Sequence, residues 1–202
     1  MEPTVITEIA DFFRNEIGYK IPVMTPFVGK NFNVTRAGIH ADGLLKDEEI
    51  SRQIALAAHF GKDRVRRVFL ADGDALVLPT AKLLKILQAL RDTFPKLQRV
   101  SSYAAPKDIL RKSEDELRQL KEAGLQLLYY GMETGDDATL KAVNKGVNGE
   151  EAVEAGRRVT ASGMKLSIMV ILGLAGKEGS YRHAIETAKA INIIQPTMWS
   201  AL

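Results

Sequence analysis

Five apolar runs, each about one strand plus one helix from the next, constrain this chain more than any other feature. The runs are Val65–Ala71, Leu97–Tyr103, Leu125–Met132 and Leu166–Leu172, with a fifth opening at Thr197. Their centres lie roughly thirty to forty residues apart, the length of a parallel strand and its crossover helix. Runs that are apolar nearly throughout suit strands covered on both faces. Helical patterns fill the gaps. Residues 47–60 set Ile50, Ile54 and Ala57 on one face and stop at Gly61, and residues 80–93 align Leu83, Leu84, Leu87 and Leu90. Ser113-Glu114-Asp115-Glu116 reads as a capping box opening a helix that Gly124 closes. Asp136 or Asp137 caps a short helix, and residues 150–162 and 181–192 complete the set. Right-handed crossovers place such helices outside a curved sheet. The expected fold is α/β, an incomplete parallel (βα) barrel array of about four to five strands over residues 49–202. The fifth run meets the end of the sequence at Leu202, which reads as truncation at the C-terminus.

The first 48 residues follow another pattern. Val5, Ile6, Ile9, Phe12, Phe13 and Ile17 predict an amphipathic helix over 4–18, stopped by Gly18. Pro22, Pro26, Gly29, Gly38 and Gly43 then punctuate a segment with no sustained period, read as an extended linker over 19–45. A length of 202 residues suits one domain or two small ones. The chain has no cysteine. That excludes a disulfide framework, a thiolate zinc site, a cysteine nucleophile and an iron–sulfur cluster held by its own thiolates. Twenty-eight basic against 25 acidic residues leave a net charge of +3, which is no nucleic-acid signature. No run approaches the roughly 18 apolar residues of a membrane span. Met1–Asp11 lacks the basic start of a signal peptide, so the expected compartment is the cytoplasm. Oligomeric state is not readable.

In parallel α/β folds ligands gather at the C-terminal ends of strands. After the first run, Gly73 would let a ligand approach the backbone and Asp74 could accept from a cationic amine; the alternative is a turn with an Asp cap. After the second stands Ser101-Ser102-Tyr103, a candidate contact or a plain turn before a helix. After the third, Glu133 lies between Gly131 and Gly135, placed to hold ribose hydroxyls or simply to be solvated. After the fourth, Gly173 and Gly176 could admit a flat ligand, or form an ordinary turn. Asn144-Lys145-Gly146 is a positive turn able to meet an anion. His40, His59 and His183 share no metal-ligand spacing. His59 is expected to complement a helix C-terminus, and His183 to be solvated at a helix start. No catalytic triad order or phosphate-binding loop stands out.

These motifs, in this order, resemble the radical S-adenosylmethionine superfamily. The resemblance rests on Val68–Leu76, Val100–Tyr103, Gly131–Asp137, Val143–Gly146 and Val170–Glu178, and spans about three quarters of the chain. It implies a partial (βα) barrel, S-adenosylmethionine as ligand and a [4Fe–4S] cluster held by a CxxxCxxC loop after the first strand. In that family the cluster reductively cleaves S-adenosylmethionine to a radical. Carried over by position, Gly73 and Asp74 match the motif holding the methionine amino group. Glu133 matches a cofactor-contacting residue, and Gly173 and Gly176 match the backbone beside the adenine. Ser102 joins them as a cofactor-side position. The resemblance implies no metal ligand here, because the cysteine loop is missing.

Residues 1–48 instead resemble the 2-isopropylmalate, citramalate and homocitrate synthase family. Pro26-Phe27-Val28-Gly29 and the stretch from Ala37 through His40 to Lys46 carry that likeness. The segment follows the catalytic barrel in that family, and the barrel itself is missing. The two resemblances meet near Asp47–Ile50, so a chimera of two pieces is expected, with 1–48 and 49–202 as its parts. Four functions follow as expectations: a radical-enzyme core without its cluster, a fragment related to the synthase acyl transferases, a non-catalytic S-adenosylmethionine scaffold, or an aggregating product with an open edge where its first strand is missing. The expected partner is a small molecule, without nucleic acid or membrane.

Overall fold

The computed structural model describes residues 31–34 and 47–202. Six strands form one parallel sheet in sequence order. They are β1 (Asn31–Val34), β2 (Arg67–Asp74), β3 (Arg99–Ala104), β4 (Leu125–Glu133), β5 (Lys165–Val170) and β6 (Met198–Ala201). The helices are α1 (Asp47–Gly61), α2 (Thr80–Thr93), α3 (Pro106–Leu110), α4 (Glu114–Glu122), α5 (Asp137–Ala142), α6 (Gly149–Ala161) and α7 (Gly176–Ile194). Parallel strands laid side by side in chain order need crossovers of one hand, which carry the helices to one face. The sheet is open, with β1 and β6 as its two edges.

Strand pleating sorts the core. Leu70, Ser102, Leu128 and Leu166 are register partners across four strands. This row faces the helices, because Tyr130, two residues beyond Leu128, donates its hydroxyl 2.7 Å to the Ala152 carbonyl of α6. Val68, Val100, Tyr130, Ile168 and the α2 leucines Leu83, Leu87 and Leu90 are buried in one cluster on that side. The opposite, concave face carries Phe69, Tyr103 and Tyr129, whose ring centroids lie 4.9 to 6.1 Å apart. The Ser113 capping box forms with both of its reciprocal bonds, and Asp136 rather than Asp137 caps α5.

The five runs expected over 49–202 all appear as strands, β2 to β6, and the sheet gains one strand beyond them. The additional one, β1, falls inside the expected linker and occupies the edge thought to lack a first strand, pairing Asn31 with Arg67 through Val34 with Leu70. Ser101–Tyr103 lies inside β3 rather than in a turn, and a short helix, Pro106–Leu110, follows it. The last helix begins at Gly176, five residues before its apolar pattern becomes visible. The expected helix over 4–18 lies outside the described residues, as does the rest of the linker.

Helices α6 and α7 pack so closely that a Cβ at Gly156 would fall 2.8 Å from Ile194 Cδ1 and Cγ2. An ordinary helical Gly→Ala change gains about 1 kcal/mol. Here overpacking costs about 1–3 kcal/mol and reverses the sign. Gly156→Ala is expected to lower the urea midpoint at unchanged denaturant slope.

Candidate functional site

The C-terminal ends of β2 to β5 share one edge, and the sheet register breaks there twice. In β2 the pairing with β3 jumps from Leu70 to Asp74. Gly73 takes φ +98° in this bulge, a left-handed value that glycine tolerates. Asp74 then uses both carboxylate oxygens on backbone. Oδ1 accepts from Leu76 N at 2.8 Å and Oδ2 from Ala105 N at 2.5 Å, tying the end of β2 to the start of α3. Burial pushes Asp74 up to about 6; the two backbone donors oppose this and Asp108 adds to it.

In β4 the pairing with β5 jumps from Gly131 to Glu133. Glu133 has φ +65°, a conformation that non-glycine residues hold only when their surroundings enforce it. Its Oε1 lies 3.0 Å from Lys145 Nζ, and both side chains are about four-fifths buried. Gly131 makes room for the pair: a Cβ there would meet Glu133 Oε1 at 2.6 Å. Lys145 comes from the turn after α5, between Asn144 at φ +52° and Gly146 at φ +78°. Sequence reading found the acid and the cation separately. Nothing in the sequence pairs them, because the two meet only through the fold of the turn after α5.

The three residues after Glu133 bind α7. Thr134 Oγ1 lies 2.7 Å from His183 Nδ1 and accepts from Asp136 N at 3.0 Å. Gly135 N donates to Thr187 Oγ1 at 3.0 Å. Asp136 accepts from Arg182 Nε at 2.7 Å and Nη2 at 3.2 Å. His183 is therefore buried rather than solvated, since it packs inward against this loop.

Gly173 at φ +74° and Gly176 at φ +66° follow β5, and a Cβ at either would meet nothing within 4 Å. Ile171 N reaches back to Glu133 O at 3.0 Å. Gly73, Asp74, Glu133, Gly173 and Gly176 thus stand at one edge. Ser102 stands apart: it is fully buried in the helix-facing row, its hydroxyl 2.9 Å from Tyr103 O and 3.3 Å from Leu70 O. A thiolate-bound cluster does not fit this chain, which has no cysteine. Among the described residues no three His, Asp or Glu side chains gather as metal ligands.

An open parallel sheet with its strand ends on one side is the architecture of a partial (βα) barrel. Residues 32–188 match the model of the radical SAM superfamily, and the chain belongs to that superfamily. Coproporphyrinogen III oxidase (HemN) from Escherichia coli, described as a radical SAM enzyme, shares the fold. Its TM-score is 0.65 at 16% identity, over 87% of this chain and 44% of that one. The synthase likeness is also found. A Citrate (Re)-synthase from Clostridium kluyveri is 70% identical over 50 residues, 25% of this chain and 11% of that protein. A probable 2-isopropylmalate synthase from Methanosarcina acetivorans is 27% identical over 169 residues, 74% of this chain and 31% of its own length. The chain spans less than half the length of each of these proteins.

Two acids carry opposite pH signatures. The Arg182 guanidinium, helped by Thr139, holds Asp136 down at about 2 against its burial. A depressed carboxyl stabilises above its unfolded value and loses that contribution as pH falls from about 4 to about 2. Asp74 is raised, so its penalty grows as pH rises from about 4 through about 6. Asp74→Asn is expected to flatten the stability profile between those pH values, read from urea midpoints, and to leave the acid limb in place.

Proposed function

We propose that this chain is an S-adenosylmethionine-binding scaffold of the radical SAM superfamily whose own residues hold no cluster. The observation that carries the reading is Glu133, kept left-handed at the end of β4 with its carboxylate on Lys145 and no side chain at Gly131. Such a pair presents an acceptor for ribose hydroxyls or an amine beside a donor for a carboxylate, matching the polar groups of S-adenosylmethionine. Gly173 and Gly176 leave open backbone for a flat base. Asp74 contributes by shaping the β2 turn, with a remaining lone pair on each oxygen for the methionine amine. Ser102 supports the site from within the sheet. In the superfamily a [4Fe–4S] cluster supplies the reductive cleavage, and this chain has no cysteine to hold one. Loss of the cluster as a methionine ligand makes the binding weak.

The ligand is a small molecule. The reading involves no nucleic acid and a cytoplasmic setting; no helix of the described residues is long and apolar enough to cross a membrane. Titration calorimetry with S-adenosylmethionine tests the proposal. The expected result is a weak saturable heat for the wild type that Glu133→Ala removes. No heat in the wild type, or equal heats in both, contradicts it.

The high identity to a synthase over 50 residues, beside the radical SAM match over 32–188, supports a composite chain; the proposed parts are a synthase-like segment at 1–48 and a radical SAM-type barrel at 49–202. On this reading the synthase-like part lends the sheet its edge strand β1. One uninterrupted DNA read across codons 40–60 should keep a single open frame; two separate genes on that read would contradict a natural fusion.

A further inference from the structure

We infer that Arg182, His183 and Thr187 of α7 are positioning residues that hold Glu133 in its left-handed conformation. The inference rests on reading Glu133 as a ligand residue, and it concerns what keeps that residue in place.

A left-handed glutamate persists only when several contacts enforce it. The Lys145 pair restrains the end of the Glu133 side chain and leaves its backbone angle to other contacts. The stronger restraints follow in the chain. Each of the next three residues is bound by α7: Thr134 by His183, Gly135 by Thr187, Asp136 by Arg182. Positions 182, 183, 186 and 187 lie on one helical face. The contact is close at Gly135, where a Cβ would fall 2.5 Å from Glu186 O and 2.9 Å from Thr187 Cα. Only glycine lets the loop backbone lie against the helix backbone there. Asp136 in turn caps α5 through Thr139 N at 3.1 Å and Thr139 Oγ1 at 2.5 Å. That fixes the start of the helix whose following turn carries Lys145. The Glu133 carbonyl is held from the other side by Ile171 N. The same helix α7 begins at Gly176, so one element sets both the Glu133 loop and the glycine loop.

The groups facing His183 and Asp136 are Thr134, Thr139, Thr187 and Arg182, all of which complete hydrogen bonds inside this network. None of them reaches the ligand edge directly. Their effect on binding runs through the backbone of residues 133–136.

The test combines backbone NMR with calorimetry on the full chain. The φ-sensitive coupling and the Cα and Cβ shifts of Glu133 report its conformation whether or not a ligand binds. Thr187→Val removes the acceptor of Gly135 N. It is expected to move the Glu133 signals out of the left-handed range and to weaken S-adenosylmethionine by roughly tenfold, the scale of losing a contact behind a ligand residue. Signals of β2 and β3 should stay in place. Thr187→Ser keeps the hydroxyl and should restore both readouts. Arg182→Gln, altering a guanidinium at the surface, gives a second folded variant with the same direction of change. An unchanged left-handed signature in both Thr187→Val and Arg182→Gln overturns the inference. A wild type that binds no S-adenosylmethionine overturns the ligand reading instead, while the Glu133 signals still decide the positioning claim.

Discussion

A parallel strand cannot pair with its successor until the chain has travelled back along the sheet, and that return governs everything else in this molecule. Strands β1 to β5 are each followed by helix before the next strand begins. Burial of the helix-facing side of the sheet stabilises the domain, through Leu70, Leu128, Tyr130 and Ile168 against α2, α4 and α6. The same geometry gathers every strand end onto one edge. Asp74, Ala104, Glu133 and Val170 become neighbours there although nearly a hundred residues separate the first from the last.

Polar groups at that edge serve two purposes. Asp74 spends both oxygens on the backbone of the turn it occupies and the helix across from it. Glu133 keeps its carboxylate toward Lys145 at the cost of an unfavourable backbone angle. The edge is thus built from residues whose hydrogen bonds are structural, with lone pairs and open glycine backbone left over. The superfamily's reaction asks for something further, a thiolate-held cluster, and no cysteine of this chain can supply it.

The sequence showed the strands whose burial is two-sided. Leu125–Met132 predicts β4 to within one residue because nearly every position in it meets either the helices or the concave face. The α4 start was equally plain, since a capping box is a local signal. What escaped reading was decided by distant partners. Asn31–Val34 is short and half polar, and it becomes a strand only because β2 offers it an edge. The first turn of α7, Gly176-Lys177-Glu178-Gly179, has two glycines and weak helix propensity, so no local signal marks it. His183 looked solvated because its partner Thr134 lies 49 residues earlier. Of the candidate site, the glycines and acids at strand ends were legible from position. The Glu133–Lys145 pair and the departure of Ser102 from the edge were not, because pleat parity depends on the register of neighbouring strands.

The superfamily scaffold is present in this chain, and the cysteine ligands of its cluster are not. Anaerobic reconstitution of the purified chain with iron and sulfide, followed by iron analysis and visible absorption, tests this most directly. The account predicts that iron and absorbance return to background after desalting. Stoichiometric iron and sulfide with a stable cluster spectrum would contradict it.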